Sequence, residues 1–306
     1  MAISRRKFLE ITAMSGAATS IVDPLKTSAK PMHSAAPTGF ELLIFATNWG
    51  FNGSWDTFCD KIKTEGYDGT EAWYPTDEKQ RHEFLAALEK HKLKFGLLVG
   101  GNARDPAKHF QQFSSSLEKA AALKPEYINC HSGRDHFSVE QNKSFITRTT
   151  EISKSTNVPT YHETHRSRIL YSAPVARQFI QSLPELRLTL DISHWCNVHE
   201  SLLDDQEEIV AIALSRTDHI HTRVGHPEGP QVNDPRAPEW KDAVDAHFGW
   251  WDRVVDIKRK EGKRLTMLTE FGPADYLPVL PYTRQPVANQ WEINKYMLDT
   301  LRKRYA

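Results

Sequence analysis

The chain has 306 residues, 39 basic and 39 acidic side chains, and 39% hydrophobic residues, the balance of a protein with an ordinary core. Neutrality offers no bulk electrostatic pull toward nucleic acid or anionic lipid, and no stretch reaches the roughly 18 to 20 apolar residues of a membrane span. Three cysteines, Cys59, Cys130 and Cys196, are too few and too far apart for a disulfide framework or a zinc knuckle and read as unpaired core thiols.

In chain order, the first signal is at the N-terminus. SRRKFL, residues 4 to 9, is basic and precedes the mildly apolar ITAMSGAATSIV and then small residues, the order of an export signal. With Arg5 and Arg6 as the pair and Phe8 and Leu9 completing the motif, it resembles the twin-arginine signal. That resemblance implies export of folded, cofactor-loaded protein to the periplasm or the medium. Residues 1–36 are therefore expected to be signal peptide and flexible arm, and 37–306 one domain.

From Phe40 onward, short apolar runs alternate with longer amphipathic ones. The runs are ELLIFAT (41–47), DGTEAW (68–73), KFGLLV (94–99), EYINCH (126–131), VPTYHE (158–163), LRLTLD (186–191), DHIHTRV (218–224) and RLTMLTE (264–270). Segments such as FLAALEKHKL and HFQQFSSSLEKAAAL between them carry helical spacing, and Ser54, Asp105 before Pro106, and Ser138 stand where helix caps belong. Eight strand signals alternating with helices predict an α/β fold, a single-domain (β/α)8 TIM barrel. TNWGFNGSW lacks the GxGxxG spacing of an open nucleotide-binding sheet. The longest irregular stretch, RVGHPEGPQVNDPRAPEW (223–240), follows the seventh run and is expected to form a lid or substrate wall. VANQWEINKYMLDTLRKRY (287–305) suits packing either on the barrel or on a second subunit of a homo-oligomer.

In a barrel all strands end on one face, so residues distant in sequence converge there. The fifth to eighth runs end at or near Glu163, Asp191, His221 and Glu270, on adjacent staves. Three carboxylates and one imidazole without a thiolate suit one divalent cation such as Mn²⁺, Mg²⁺, Co²⁺ or Zn²⁺. His219 shares a strand face with His221, which lies nearer the strand end and is taken as the ligand. Singly, each residue has a plainer role: Glu163 can pair with Arg166 or Arg168, Asp191 can cap a helix, and Glu270 can be a solvated strand end. Their conjunction favours the metal site.

The set resembles the xylose isomerase-like barrel superfamily of sugar (phosphate) isomerases and epimerases. The resemblance rests on the Glu of YHETH, the Asp and His of DISHW, the H-x-H of HIHTRV and the Glu of TEFGP, with Glu71 of DGTEAW similar to a second-strand Gly-x-Glu. It spans nearly all of residues 40–304. It implies that Glu163, Asp191, His221 and Glu270 hold one Mn²⁺-like ion, that Glu163 and Glu270 move protons on opposite sides of a sugar, and that His194 contacts the substrate.

Proton removal beside a carbonyl makes an enediolate, whose charge needs fixed positive charge at the oxygen. Returning the proton to the other face epimerises, and returning it to the next carbon isomerises. With a leaving group on the β-carbon, as in a 3-keto-glycoside, the same enediolate eliminates. Further substrate contacts are expected from Glu71, His131, Arg223 and His226, with Gln231 beside them. Trp49 and Trp73 offer flat faces to sugar CH groups, while Trp195 suits the same role or core packing. His131 in NCHSGRD stands where the related endonuclease IV-like barrels keep a ligand of a multi-zinc cluster. LLVGGNARD carries no histidine and the 223–240 loop no clear Asp-x-His, so that cluster is incomplete and a metallohydrolase is the weaker alternative.

Overall fold

The computed structural model describes residues 39–306, so the export-signal segment lies outside the described residues. The frame is a closed barrel of eight parallel strands paired in sequence order. They are β1 (Glu41–Thr47), β2 (Gly69–Trp73), β3 (Lys94–Gly100), β4 (Ile128–His131), β5 (Thr160–Glu163), β6 (Leu188–Leu190), β7 (Thr217–His221) and β8 (Arg264–Thr269). Every apolar run of the sequence contributes one strand. Closure comes from β8 lying beside β1, in register from Glu41↔Arg264 to Ala46↔Thr269.

Helices between the strands begin where short polar side chains satisfy the free N–H groups of a first turn. Ser54 accepts from the Thr57 N–H at 3.2 Å and Asp105 from the Lys108 N–H at 2.9 Å with Pro106 next. Ser138 and Gln141 form a reciprocal capping box. The last helix, Gln290–Tyr305, buries Ile293, Met297, Leu298 and Leu301 on its own barrel. Its Asn294 carboxamide bonds both polar groups of Phe271, tying the helix to the end of β8.

Alternate residues of a strand face opposite sides, so each stave sends a column of side chains to the barrel axis and another to the helices. On β1, Ile44 and Ala46 join the layer under the helices, while Leu43 and Phe45 join Tyr127 and Leu268, with Tyr161 against them, in a separate interior cluster. Tyr127 stacks between Phe45 and Tyr161 at 5.8 and 5.7 Å. A Cβ at Gly96 would stand 2.4 Å from the Tyr127 ring, which is why β3 carries glycine there. This apolar plug fills the barrel beneath the C-terminal ends of the strands.

Candidate active site

Above the plug, the columns turn polar. Two residues on from Tyr127 and Tyr161 stand Asn129 and Glu163, and two further His131 and His165; β7 delivers His219, His221 and then Arg223, and Glu270 directly follows β8. His221 is the hub. Its Nδ1 lies 2.9 Å from Glu270 Oε2 and 3.7 Å from Glu163 Oε1, and its Nε2 lies 3.3 Å from Glu71 Oε1. Asp191, His221 and Glu270 each bring one ligand-type atom within 4.8 Å of the others, and Glu163, Asp191 and His194 form an overlapping set.

The residues fit a divalent cation. His221 Nδ1 and Glu270 Oε2 are buried and close, yet neither has a hydrogen-bond partner. Two such atoms converging off the line of a hydrogen bond leave their lone pairs to a shared point. With the carboxylates of Asp191 and Glu163 beside it, that point is surrounded by nitrogen and oxygen donors of the hard-to-borderline kind. Nε2 is turned toward Glu71 and Asn129, which leaves Nδ1 as the nitrogen facing the Glu270 and Glu163 carboxylates, the usual arrangement behind a metal-binding histidine.

Electrostatics follow from this crowding. Burial alone would raise the Glu163 carboxyl, but the facing charges of His131 and His221 outweigh it and hold Glu163 well below the usual carboxylate range. Burial pushes Asp191 up to about 6 against the pull of Arg223. Burial opposes charge on His221, but Glu270, Glu163 and Glu71 hold it well above the ordinary histidine value, so a cation taking Nδ1 displaces a proton from it. Asn129 Nδ2 donates to Glu163 Oε2 at 2.8 Å and also lies 3.3 Å from Glu71 Oε1, so one amide links the two glutamates. His219 sits a layer lower, with Nδ1 2.7 Å from Thr266 Oγ1 and Nε2 3.3 Å from Glu71 Oε2.

Arg223, 2% exposed, enters the carboxylate and imidazole cluster itself. One guanidinium nitrogen pairs with Asp191 Oδ2, another lies 3.4 Å from Glu270 Oε2, and the group stands 4.8 Å from the centre of the Tyr276 ring. The other Asp191 oxygen accepts from Ser193. Glu163 pairs with neither Arg166 nor Arg168; His131 Nε2 is its neighbour at 2.7 Å.

The site opens into a cavity of about 600 Å³. Glu71, Glu163, Arg223 and Glu270 reach it from below, and Trp49, Trp73, His131, His165 and Tyr276 form its walls. Trp49 meets Tyr276 edge-on at 4.9 Å, and Trp73 meets His131 edge-on at 5.4 Å. A Cβ at Gly272 would stand 2.3 Å from the Trp49 ring, so the glycine of TEFGP makes room for that wall.

Two expected contacts are placed elsewhere. His194 is fully buried, because the short helix Ser193–Val198 turns it away from the opening; it packs 3.9 Å behind the His165 ring and lies 2.9 Å from Arg223 Nη2. His165 therefore takes the wall position expected of His194. His226 bridges to Gly229 and packs on Trp240 at 4.7 Å, away from the cavity lining. Gln231 is a clamp: its carboxamide exchanges two hydrogen bonds with the Gly272 backbone, pinning the 223–240 loop to the end of β8. Trp195 is core, its Nε1 donating to the Leu170 carbonyl at 2.9 Å. Cys59, Cys130 and Cys196 are free and buried, and burial pushes the Cys196 thiol up to about 12.

Asn129, His165 and Tyr276 were not singled out from the sequence. The first two carried a usable signal, a spacing of two from His131 and Glu163. Tyr276 lies in an irregular segment after β8 and carried none.

Residues 59–243, more than half of the chain, match the xylose isomerase-like TIM barrel family. The chain belongs to that family. Glu71, Glu163, Asp191 and His221 of this xylose isomerase-like barrel lie within the matched span, and Glu270 lies beyond it. No curated protein matches the sequence. Among solved structures the barrel is similar to 3-keto-D-glucoside 4-epimerase from E. coli, with a TM-score of 0.59 and 15% identity over 86% of this chain and 100% of the other. It is also similar to a D-tagatose 3-epimerase-like protein, with a TM-score of 0.58 and 12% identity over 86% and 100%. A probable 3-DHS dehydratase of petrobactin synthesis from Bacillus anthracis gives 0.54 and 15% over 86% and 100%. At these identities the likeness is one of fold, and activity has to be argued from the site.

Proposed function

We propose that this xylose isomerase-like barrel is a divalent-metal-dependent sugar isomerase or epimerase that works by removing a proton beside a carbonyl. The observation that carries the proposal is the convergence of His221 Nδ1 and Glu270 Oε2, both without a hydrogen-bond partner among the described residues, beneath a cavity walled by two tryptophans. Epimerase activity in the names of two fold neighbours supports the same class.

Glu163, Asp191, His221 and Glu270 would hold the ion, for which we propose Mn²⁺. When bound, it supplies fixed positive charge against an enediolate. The chain's own residues do the rest. Glu163 and Glu270 rise from staves three apart and reach the cavity from different sides, so one can take a proton from the sugar and the other can return it on the opposite face. His131 and His221 keep Glu163 ionised, the state a base needs. Arg223, held by Asp191 and Glu270, presents a fixed cation to developing negative charge. The Trp49 and Trp73 rings face the apolar side of a sugar. Export through the Arg5–Arg6 signal would place this chemistry outside the cytoplasm.

Elimination from a 3-keto-glycoside is the second reading. It is favoured by Trp73, which is 53% exposed at the mouth and offers an apolar face beyond the polar floor, where an aglycone would lie. Proton NMR in D₂O decides between them, with Mg²⁺-loaded protein offered ketohexoses and a 3-keto-glucoside. Deuterium entering the carbon beside the carbonyl with the glycosidic bond intact is the expected result. Release of the aglycone selects elimination, and a result with neither deuterium uptake nor aglycone release overturns enolisation.

A further inference from the structure

Several arginines on this barrel are matched with acids. Arg148 pairs with Glu118 and Glu151, Arg187 with Asp218, Arg264 with Glu41 and Glu126, and Arg304 with Asp252. One arginine in the cavity wall is not. Arg168, in the loop after β5, lines the cavity, and its Nε and Nη1 are buried without a hydrogen-bond partner among the described residues. A guanidinium has five N–H donors and no way to shed its charge, so leaving two of its nitrogens out of water and unpaired costs free energy that a fold ordinarily recovers with a carboxylate.

Its surroundings increase the mismatch. Desolvation and the like charge of Arg134, from the loop after β4, both act against the Arg168 cation, and Glu163 and Asp135 offset them only at a distance. Arg166 is committed to the Tyr276 ring at 5.0 Å. Glu163 faces His131 instead of Arg168. Around the ring of strands, the β4 and β5 loops lie across from β8 and β1, which carry Glu270 and Trp49. A ligand reacting over Glu163 and Glu270 therefore has one end directed at an unneutralised cation.

We infer that Arg168 is an anion subsite, and that the sugar taken by this cavity carries a carboxylate or phosphate group at the end facing the β4 and β5 loops. The inference deepens the enolising-sugar proposal and rests on it only for the ligand being a sugar. A charged group entering there gains charge-assisted hydrogen bonds from a guanidinium that is already partly desolvated. A neutral hydroxymethyl group leaves that cation as unpaired as it is in the free protein.

The test is calorimetric binding to Mn²⁺-loaded protein of three unreactive or slowly reacting probes: methyl β-D-glucosiduronate, methyl β-D-glucoside and glucose 6-phosphate. The glucosiduronate should bind about tenfold or more tightly than the neutral glucoside, the scale of one charge-assisted hydrogen bond. In Arg168→Gln that ratio should fall to within about twofold, with the Mn²⁺-induced rise in Tm reporting that the variant is folded. Should Arg168→Gln not fold, Arg168→Lys carries the test, because a point ammonium cannot reproduce the planar fork and the ratio must still drop. Preference for glucose 6-phosphate alone supports the subsite and assigns a phosphate ester to it. Equal affinity for all three probes, binding of none, or a ratio that survives substitution of Arg168 overturns the subsite. Loss of proton exchange in the D₂O experiment with the charge preference intact removes the enolising proposal and leaves the subsite standing.

Discussion

His221 Nδ1 and Glu270 Oε2 face each other at 2.9 Å without a hydrogen bond between them. Such a pair is poised for a third participant, so a divalent cation should stabilise the fold. At a Mn²⁺ concentration of 100 times Kd the expected gain is about 2.7 kcal/mol, read as a rise in Tm over protein treated with chelator. Glu270→Gln should weaken the ion at least about tenfold and reduce proton exchange by about 10² to 10⁴. Unchanged metal affinity and full exchange in that variant would sink the assignment.

Asn129 joins Glu71 and Glu163 through one amide nitrogen, 3.3 and 2.8 Å from their oxygens. It lies beneath the ligands and orients them. Asn129→Leu should preserve the barrel yet lower Mn²⁺ affinity about 10- to 100-fold, the range seen when outer partners of ligands are removed. Calorimetric titration of metal into apoprotein measures it.

Arg223 neutralises Asp191 inside the protein, and both are essentially buried. Arg223→Met leaves that carboxylate without its partner and should cost about 3 to 5 kcal/mol in urea unfolding of the metal-free protein. A divalent ion then takes over part of the lost neutralisation. Mn²⁺ should accordingly raise the Tm of Arg223→Met by more than it raises that of the wild type, and an equal or smaller rise would contradict the placement.

Away from the site, His162 is buried between Ser132 Oγ and Thr149 Oγ1, each 2.7 Å from a ring nitrogen, and burial lowers it from the ordinary 6.5 to about 3. Burial likewise lowers His247 to about 4. Both are neutral in the folded chain and take up a proton when it unfolds below pH 6.5. Their contribution is therefore fully present above that value and is lost as pH falls toward 4 and then 3, by about 1.4 kcal/mol per pH unit for each group. Urea midpoints measured in chelator from pH 7 to 4 should fall less steeply for His162→Asn than for the wild type, and parallel curves would rule this out.

The barrel was legible because its signal is local. Eight apolar runs separated by amphipathic segments leave little alternative to eight βα units, and each run from ELLIFAT to RLTMLTE holds one strand. The ring of Glu163, Asp191, His221 and Glu270 was legible for the same reason, since parallel strands carry their last residues to one face. Asn129 and His165 were within reach through the two-residue period, because Tyr127, Asn129 and His131 form one column and Tyr161, Glu163 and His165 the next.

Other placements are set by contacts between segments far apart in the chain. His194 follows Asp191 by three residues in sequence, but a six-residue helix turns it behind His165. Gln231 meets Gly272 across 41 residues and is spent as a clamp. Arg223 finds Asp191 from a neighbouring stave, while Arg168 finds no acid among the described residues. Sequence by itself determined which strand ends bear carboxylate and imidazole, because strand period and parallel order are properties of the chain. Only the tertiary structure decided which charges neutralise one another and which one is left facing the cavity. Ion pairing depends on distances of a few ångströms between loops whose paths no local period fixes.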